Sequence, residues 1–170
     1  MSQPHPHATL PAVTAAPSND HFIRLGGHAV VVRLVDAFYR AMDTLPEAAA
    51  VRAMHEPDLG PTKAVLVAYL SEWMGGPKAY TPQRGAPMLR RRHQPFPIDA
   101  AARDAWMACM RQALAQECPD EGLRAELDAA FYKVADFIRN TDAGGDMRPH
   151  PGRPREVAPG QVAAPHQSQT

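Results

Sequence analysis

The sequence predicts an all-α fold of four principal amphipathic helices, and three observations lead to it. Apolar residues recur three and four apart in separated stretches; Gly, Pro and Asp stand where those stretches begin and end; and no run alternates apolar with polar residues as a half-buried strand would. No internal repeat is visible.

Leu25, Val31, Leu34, Val35, Phe38 and Met42 fall at helical spacing around Gly26-Gly27, which predicts a first helix over about 27 to 43. Pro46 opens a weaker stretch through Ala48, Val51 and Met54 that the His55-Glu56-Pro57-Asp58 turn interrupts. Gly60-Pro61 sets proline in the first turn of a third helix, with an apolar stripe of Val65, Leu66, Tyr69, Leu70, Trp73 and Met74; Gly75-Gly76-Pro77 ends it. Prolines and glycines crowd the chain from there to Ile98, which leaves room for one turn around Met88 to Arg92. Asp99 can cap a helix to about Gln116 carrying Ala102, Trp106, Cys109, Met110 and Leu114. Pro119 starts the last, in which Leu123, Leu127, Ala130, Phe131, Val134 and Ile138 align until Asn140.

At 170 residues and 45 % apolar composition the chain suits one domain. Residues 1–20 and 142–170 are rich in Pro, His, Gln, Ser and Gly and are expected to be disordered tails flanking a folded domain at 21–141. The tail histidines His5, His7, His150 and His166 are too scattered to suggest a metal site. Lys plus Arg and Asp plus Glu both number 18, so no global field favours nucleic acid or an anionic membrane. The N-terminus lacks signal-peptide character and no stretch approaches the roughly 20 apolar residues of a membrane span, which makes a cytoplasmic location the expectation. Cys109 and Cys118 stand nine apart with no C-x-x-C pattern and are read as reduced thiols.

The densest chemistry lies in the loop Leu89-Arg90-Arg91-Arg92-His93-Gln94-Pro95-Phe96. On spacing alone two readings stay open. One is a solvated basic turn. The other is an axial imidazole beside guanidinium groups, the pairing that an iron porphyrin with anionic propionates requires.

Five segments then carry a resemblance: L-V-D-A-F-Y at 34 to 39, M-H-E-P-D-L at 54 to 59, W-M-G-G-P-K-A-Y at 73 to 80, G-A-P-M-L-R-R-R-H-Q-P-F-P-I at 85 to 98, and R-D-A-W-M-A-C-M at 103 to 110. In order and spacing the chain resembles the group II truncated haemoglobins over about residues 22 to 140. That resemblance implies a two-over-two helical sandwich around haem b, with His93 as the proximal iron ligand. It implies cofactor contacts from Tyr80, Arg92, Met88, Phe96 and Leu66. It places Phe38 and Tyr39, Trp106, His55, Thr62 and Tyr69 around the distal ligand pocket, with Tyr39 and Trp106 donating hydrogen bonds. Members commonly read G-H-P before the proximal turn, whereas this chain has Gly85-Ala86-Pro87.

The function implied is reversible binding of oxygen or another diatomic ligand, carbon monoxide or nitric oxide. A pocket rich in donors would hold oxygen tightly, since a hydrogen bond to a charged acceptor contributes roughly 1.5–3 kcal/mol. Redox chemistry, such as nitric oxide dioxygenation or a peroxidase-like reaction, is the alternative. It would need an external reductase, because nothing in the chain resembles a fused one.

Overall fold

The computed structural model describes residues 19–142. The tails expected to be disordered, with their four histidines, therefore lie outside the described residues except for Asn19, Asp20 and Asp142. In chain order the elements are α1 (His21–Leu25), α2 (His28–Thr44), a 3-10 turn (Pro46–Ala48), α3 (Ala49–Ala53), α4 (Gly60–Trp73), α5 (Thr81–Arg84), α6 (Leu89–His93), α7 (Ala100–Glu117) and α8 (Glu121–Phe137). Among the described residues there is no β-strand.

The four long helices, α2, α4, α7 and α8, are those expected from the sequence. α2 packs chiefly on α7 and also on α4, while α7 packs on α8, so α2 and α4 oppose α7 and α8 as a two-over-two sandwich. Along α2 the repeat of Val31, Leu34, Val35, Phe38 and Met42 is buried to 1 % exposure or less. Each such side chain contributes roughly 1.5–3 kcal/mol of transfer free energy. Met107, Met110 and Leu114 of α7 and Leu123 and Leu127 of α8 complete this core.

Helix starts follow side-chain chemistry. Asp99 accepts the Ala102 N–H at 2.8 Å, and Asp120 accepts the Leu123 N–H at 2.9 Å. The last helix thus begins after Asp120 rather than at Pro119. It also stops at Phe137, short of Asn140, because the Asn140 and Thr141 N–H groups turn to the Ile98 carbonyl at 2.9 and 3.2 Å.

α1 was not expected from the pattern. It is held by tertiary contacts: the Phe22 N–H donates to the Met74 carbonyl at 2.8 Å, and Arg24 donates to both carboxylate oxygens of Glu126 at 2.8 and 3.0 Å. Its seat is the Gly75-Gly76 turn, where Gly75 has φ +87° and a Cβ would stand 1.8 Å from the Asn19 carbonyl oxygen.

α4 departs from the others in burial. Leu70 and Met74 are fully covered, yet Val65, Leu66, Tyr69 and Trp73 remain only partly so. The apolar stripe is real, but much of it borders a cavity between α4 and α8.

Candidate functional site

The cavity of about 240 Å³ is walled by α4 through Thr62, Leu66, Tyr69 and Trp73 and by α8 through Phe131, Val134, Ala135 and Ile138. A neighbouring space of about 420 Å³ continues past Phe96 and Ile98 toward Met54 and Glu56. His93, Arg92, Arg84, His55, Thr62 and Trp106 line both, so the two form one cleft that wraps around the His93 ring.

His93 ends the short helix α6, and its Nδ1 lies 2.7 Å from the Leu89 carbonyl oxygen. A carbonyl only accepts, so Nδ1 carries the proton and donates, leaving the Nε2 lone pair free. Asn140 fixes the following loop: its Nδ2 donates to the carbonyls of His93 at 3.1 Å and Phe96 at 2.9 Å, and its Oδ1 accepts the Ile98 N–H at 2.9 Å. No sequence pattern marks Asn140 for this work, because its partners stand 42 to 47 residues away.

On the other side runs a chain of aromatic contacts. His55 meets Tyr39 edge-on at 5.7 Å, Tyr39 meets Phe38 at 4.9 Å, Phe38 meets Trp106 at 5.1 Å, and Trp106 meets Phe131 at 5.9 Å. Tyr39 and Trp106 line the cavity, whereas Phe38 is fully buried behind them and lines neither space. The Tyr39 hydroxyl and the Trp106 indole N–H make no hydrogen bond with any described residue, and neither atom is sealed from the cavity. Burial pushes the Tyr39 phenol up to about 12, with Arg52 pulling the other way, so the hydroxyl keeps its proton as a donor.

His55 differs from these two. Its Nδ1 lies 2.9 Å from the Val51 carbonyl oxygen and must donate there, so neutral His55 offers the cavity an Nε2 lone pair rather than a proton. Thr62, Leu66 and Tyr69 share one face of α4 toward the cavity, and burial raises the Tyr69 phenol.

At the mouth, Tyr80 is buried edge-on against Tyr69 at 5.6 Å. Glu72 holds its segment, accepting the Tyr80 N–H at 3.0 Å, the Thr81 N–H at 2.9 Å and the Thr81 hydroxyl. Arg92 lies 6.0 Å from the Tyr80 ring centroid and donates to the carbonyls of Pro87 at 3.0 Å and Arg84 at 2.9 Å. Arg84, which no sequence pattern singles out, lines both spaces and forms no ion pair among the described residues. Its setting just before Gly85 in the basic loop was the available hint.

Phe96 borders the second space at 39 % exposure. Met88 is the expected contact that the structure does not bring to the cleft. It adopts a left-handed conformation at φ 43° and ψ 47° ahead of α6, is 54 % exposed, and lines neither space.

This donor set suits a broad apolar ligand with anionic edges and a metal centre. Apolar and aromatic walls face one another, cations stand at the mouth, and two imidazoles, His93 and His55, each present a free Nε2. Among the described residues no three His, Cys, Asp or Glu side chains converge as a bare metal ion would need. Imidazole ligands with no third protein ligand instead fit a metal already held in a macrocycle. No helix among the described residues is long and apolar enough to cross a membrane.

Comparisons with known proteins agree. The bacterial-like globin family matches residues 21–140. Group 2 truncated hemoglobin YjbI of Bacillus subtilis (strain 168) is 38 % identical over 88 residues, which is 52 % of this chain and 64 % of that protein, just short of two thirds of its length. The cold-adapted truncated hemoglobin from the Antarctic marine bacterium Pseudoalteromonas haloplanktis TAC125 superposes with a TM-score of 0.70 at 36 % identity, covering 72 % of this chain and 98 % of that one. The group II 2-on-2 hemoglobin from the plant pathogen Agrobacterium tumefaciens gives 0.70 at 37 % identity over 76 % and 99 %. A structure described as a truncated oxygen-avid haemoglobin from Bacillus subtilis gives 0.66 at 30 % identity over 71 % and 99 %. With its fold, its cleft and these likenesses in accord, the chain belongs to the bacterial-like globin family and, within it, to the group II truncated haemoglobins.

Proposed function

We propose that this globin binds haem b through His93 Nε2 and takes up oxygen reversibly between that haem and the Tyr39–Trp106 wall. The observation that carries the reading is the setting of His93: its Nδ1–H is committed to the Leu89 carbonyl, which frees Nε2 for the cleft, and unlike His55 it stands on the helix that carries Arg92 beside Arg84. A non-covalent haem fits the absence of any C-x-x-C-H attachment motif in the sequence. Two buried, unpaired cysteines accord with a reducing, cytoplasmic setting.

Haem, when bound, would supply an iron able to take up and release oxygen, carbon monoxide or nitric oxide. Leu66, Tyr69, Val134 and Ile138 would exclude water from it, and Arg84 and Arg92 would offer cations to its propionates. Tyr39 and Trp106 each hold a proton that no described residue accepts, so both can donate to a ligand with developing negative charge. The same two donors favour a second reading, nitric oxide dioxygenation or a peroxidase-like reaction supported by an external reductase.

The test is the absorption spectrum of wild type beside His93→Ala in ferric, ferrous and carbon monoxide forms. A Soret band that shifts with carbon monoxide and is lost or strongly altered in the variant supports the reading; no stoichiometric haem uptake, or identical spectra, refutes it. A nitric oxide consumption rate no faster than that of free haem removes the redox alternative.

A further inference from the structure

We infer that Arg90 and Arg91, on the outer side of α6, form the docking surface for an acidic one-electron carrier protein. The inference rests on the haem reading above, because it concerns how such a centre is reduced.

The chain as a whole is neutral, with 18 basic and 18 acidic residues. Its charge is nevertheless uneven: between Glu72 and Asp99 there is no acidic residue, while Lys78, Arg84 and Arg90 to Arg92 all fall there. Pairing follows the same division. Seven of the described arginines reach a carboxylate at 2.6–3.6 Å. Those that reach none, Arg40 apart, are Arg84, Arg90, Arg91 and Arg92. The unneutralised guanidinium groups are thus gathered around the helix that carries His93.

Arg84 and Arg92 border the cleft, but Arg90 and Arg91 line neither of its spaces and propionates do not account for them. Arg90 lies 5.4 Å from the centroid of the Phe137 ring and donates to the Phe137 carbonyl at 3.1 Å, so its charge is positioned without being cancelled. Phe137 is itself 58 % exposed, and Arg91, next to Arg90 in sequence, is exposed as well. An anchored cation, a second exposed cation and an uncovered aromatic ring form a small patch that suits a brief electron-transfer encounter, which buries less than about 1,200 Å².

Charge also selects the occupant. Residues 1–18 carry no acidic side chain, and residues 143–170 carry Asp146 and Glu156 against Arg148, Arg153 and Arg155, so neither stretch is net acidic. A second copy would bring like charge to like. An acidic protein is complementary, and docking beside α6 shortens the electron's path to a centre held by His93. The step is one electron: the carrier is oxidised by one, the ferric centre becomes ferrous, and no atom is transferred.

The probe is a reduced acidic [2Fe–2S] ferredoxin mixed with the full-length ferric protein in stopped flow, from low salt to about 0.15 M, where screening shortens the Debye length to about 8 Å. The expected second-order rate falls as salt rises, and falls about tenfold at low salt in Arg90→Gln/Arg91→Gln, while carbon monoxide binding to the dithionite-reduced variant stays at the wild-type rate. Arg91→Glu alone leaves the Arg90–Phe137 contact intact and should show the same sign. Calorimetric titration with oxidised ferredoxin, in which no electron moves, should show binding that weakens with salt and in the variants. A rate and a binding constant indifferent to salt and to these substitutions would overturn the inference. So would duplex DNA or anionic vesicles that bind more tightly than ferredoxin and lose that binding in the same variants. If no haem is taken up, the proposed function fails, and the calorimetric titration still decides this surface on its own.

Discussion

Replacing Asn140 with Ala should loosen the hold on haem without dismantling the fold. The side chain makes three hydrogen bonds to the segment from His93 to Ile98. Net contributions of about 0.5–1.5 kcal/mol each would sum to about 3, but Asn140 is only half-buried and water would replace part of this, leaving about 1.5–2 kcal/mol. If that anchoring is what keeps His93 in position to hold haem, its loss should appear as haem dissociation about 10- to 30-fold faster, tenfold corresponding to 1.4 kcal/mol. The assay is haem transfer to an excess of a high-affinity acceptor globin, followed by the change in Soret absorbance, with far-ultraviolet circular dichroism as the check on folding. Asn140→Asp sharpens it, because the carboxylate retains an acceptor for the Ile98 N–H but sets a negative charge against the carbonyls of His93 and Phe96. Its dissociation should be at least as fast as that of the Ala variant. A transfer rate equal to wild type in both, with folding intact, would show that the clamp does not bear on the cofactor.

Tyr39→Phe and Trp106→Phe should each speed oxygen release from the ferrous protein by about 10- to 100-fold, measured by stopped-flow displacement with carbon monoxide, with the double variant faster than either. Unchanged release in both would mean that these groups do not face the ligand. Tyr39 also predicts an alkaline limit. Its phenol titrates near 10.0 when unfolded and near 12 when folded, so the unfolded chain sheds the proton first; the stability is present below about pH 10 and is lost as pH rises toward 12. Urea titrations of haem-free protein across that window should show a smaller decline in Tyr39→Phe. Glu72 runs the other way: the bonds from Thr81 and Tyr80 hold its carboxyl below the usual range, so the loop's fastening is present above the normal carboxylate pKa and is lost as pH falls. Amide exchange at Tyr80 and Thr81 should rise in Glu72→Ala at neutral pH, and equal exchange would exclude the clamp.

The long helices were legible because their starts are written in local chemistry: Gly27, Gly60-Pro61 and Asp99 each sit at a start observed in the structure, and Pro119 stands two residues before the last one. What escaped is set by distant partners. α1 has too few residues for a pattern, and Ile23 within it is 77 % exposed; it exists because Met74 and Glu126 hold it. α5 depends on Glu72 reaching across to Thr81, and the end of α8 on the Ile98 carbonyl. At the site, His93, Tyr39, Trp106, His55, Thr62, Leu66, Tyr69, Tyr80, Arg92 and Phe96 all border the cleft. Phe38 supports that wall from behind, and Met88 is turned out by a left-handed backbone that periodicity does not reveal. His55 shows another limit of sequence: the residue could be named, but whether its free nitrogen gives or accepts a proton follows from the Val51 carbonyl.

The Gly75-Gly76 turn does more than stop α4. A side chain at Gly75 would collide with the Asn19 carbonyl, and one at Gly76 would stand 2.6 Å from the Phe22 ring, so the bare backbone is the socket into which the start of the domain plugs. The far end of α4, the wall of the cleft, is therefore buttressed by residues more than fifty positions earlier, and Arg24 carries the same brace across to α8. Trimming the chain to Leu25, or fusing a bulky partner immediately before His21, would be felt in the cleft as slack in both of its walls, although neither change touches a lining residue. In practical terms, a fusion made directly at His21 is expected to change the ligand chemistry of this globin.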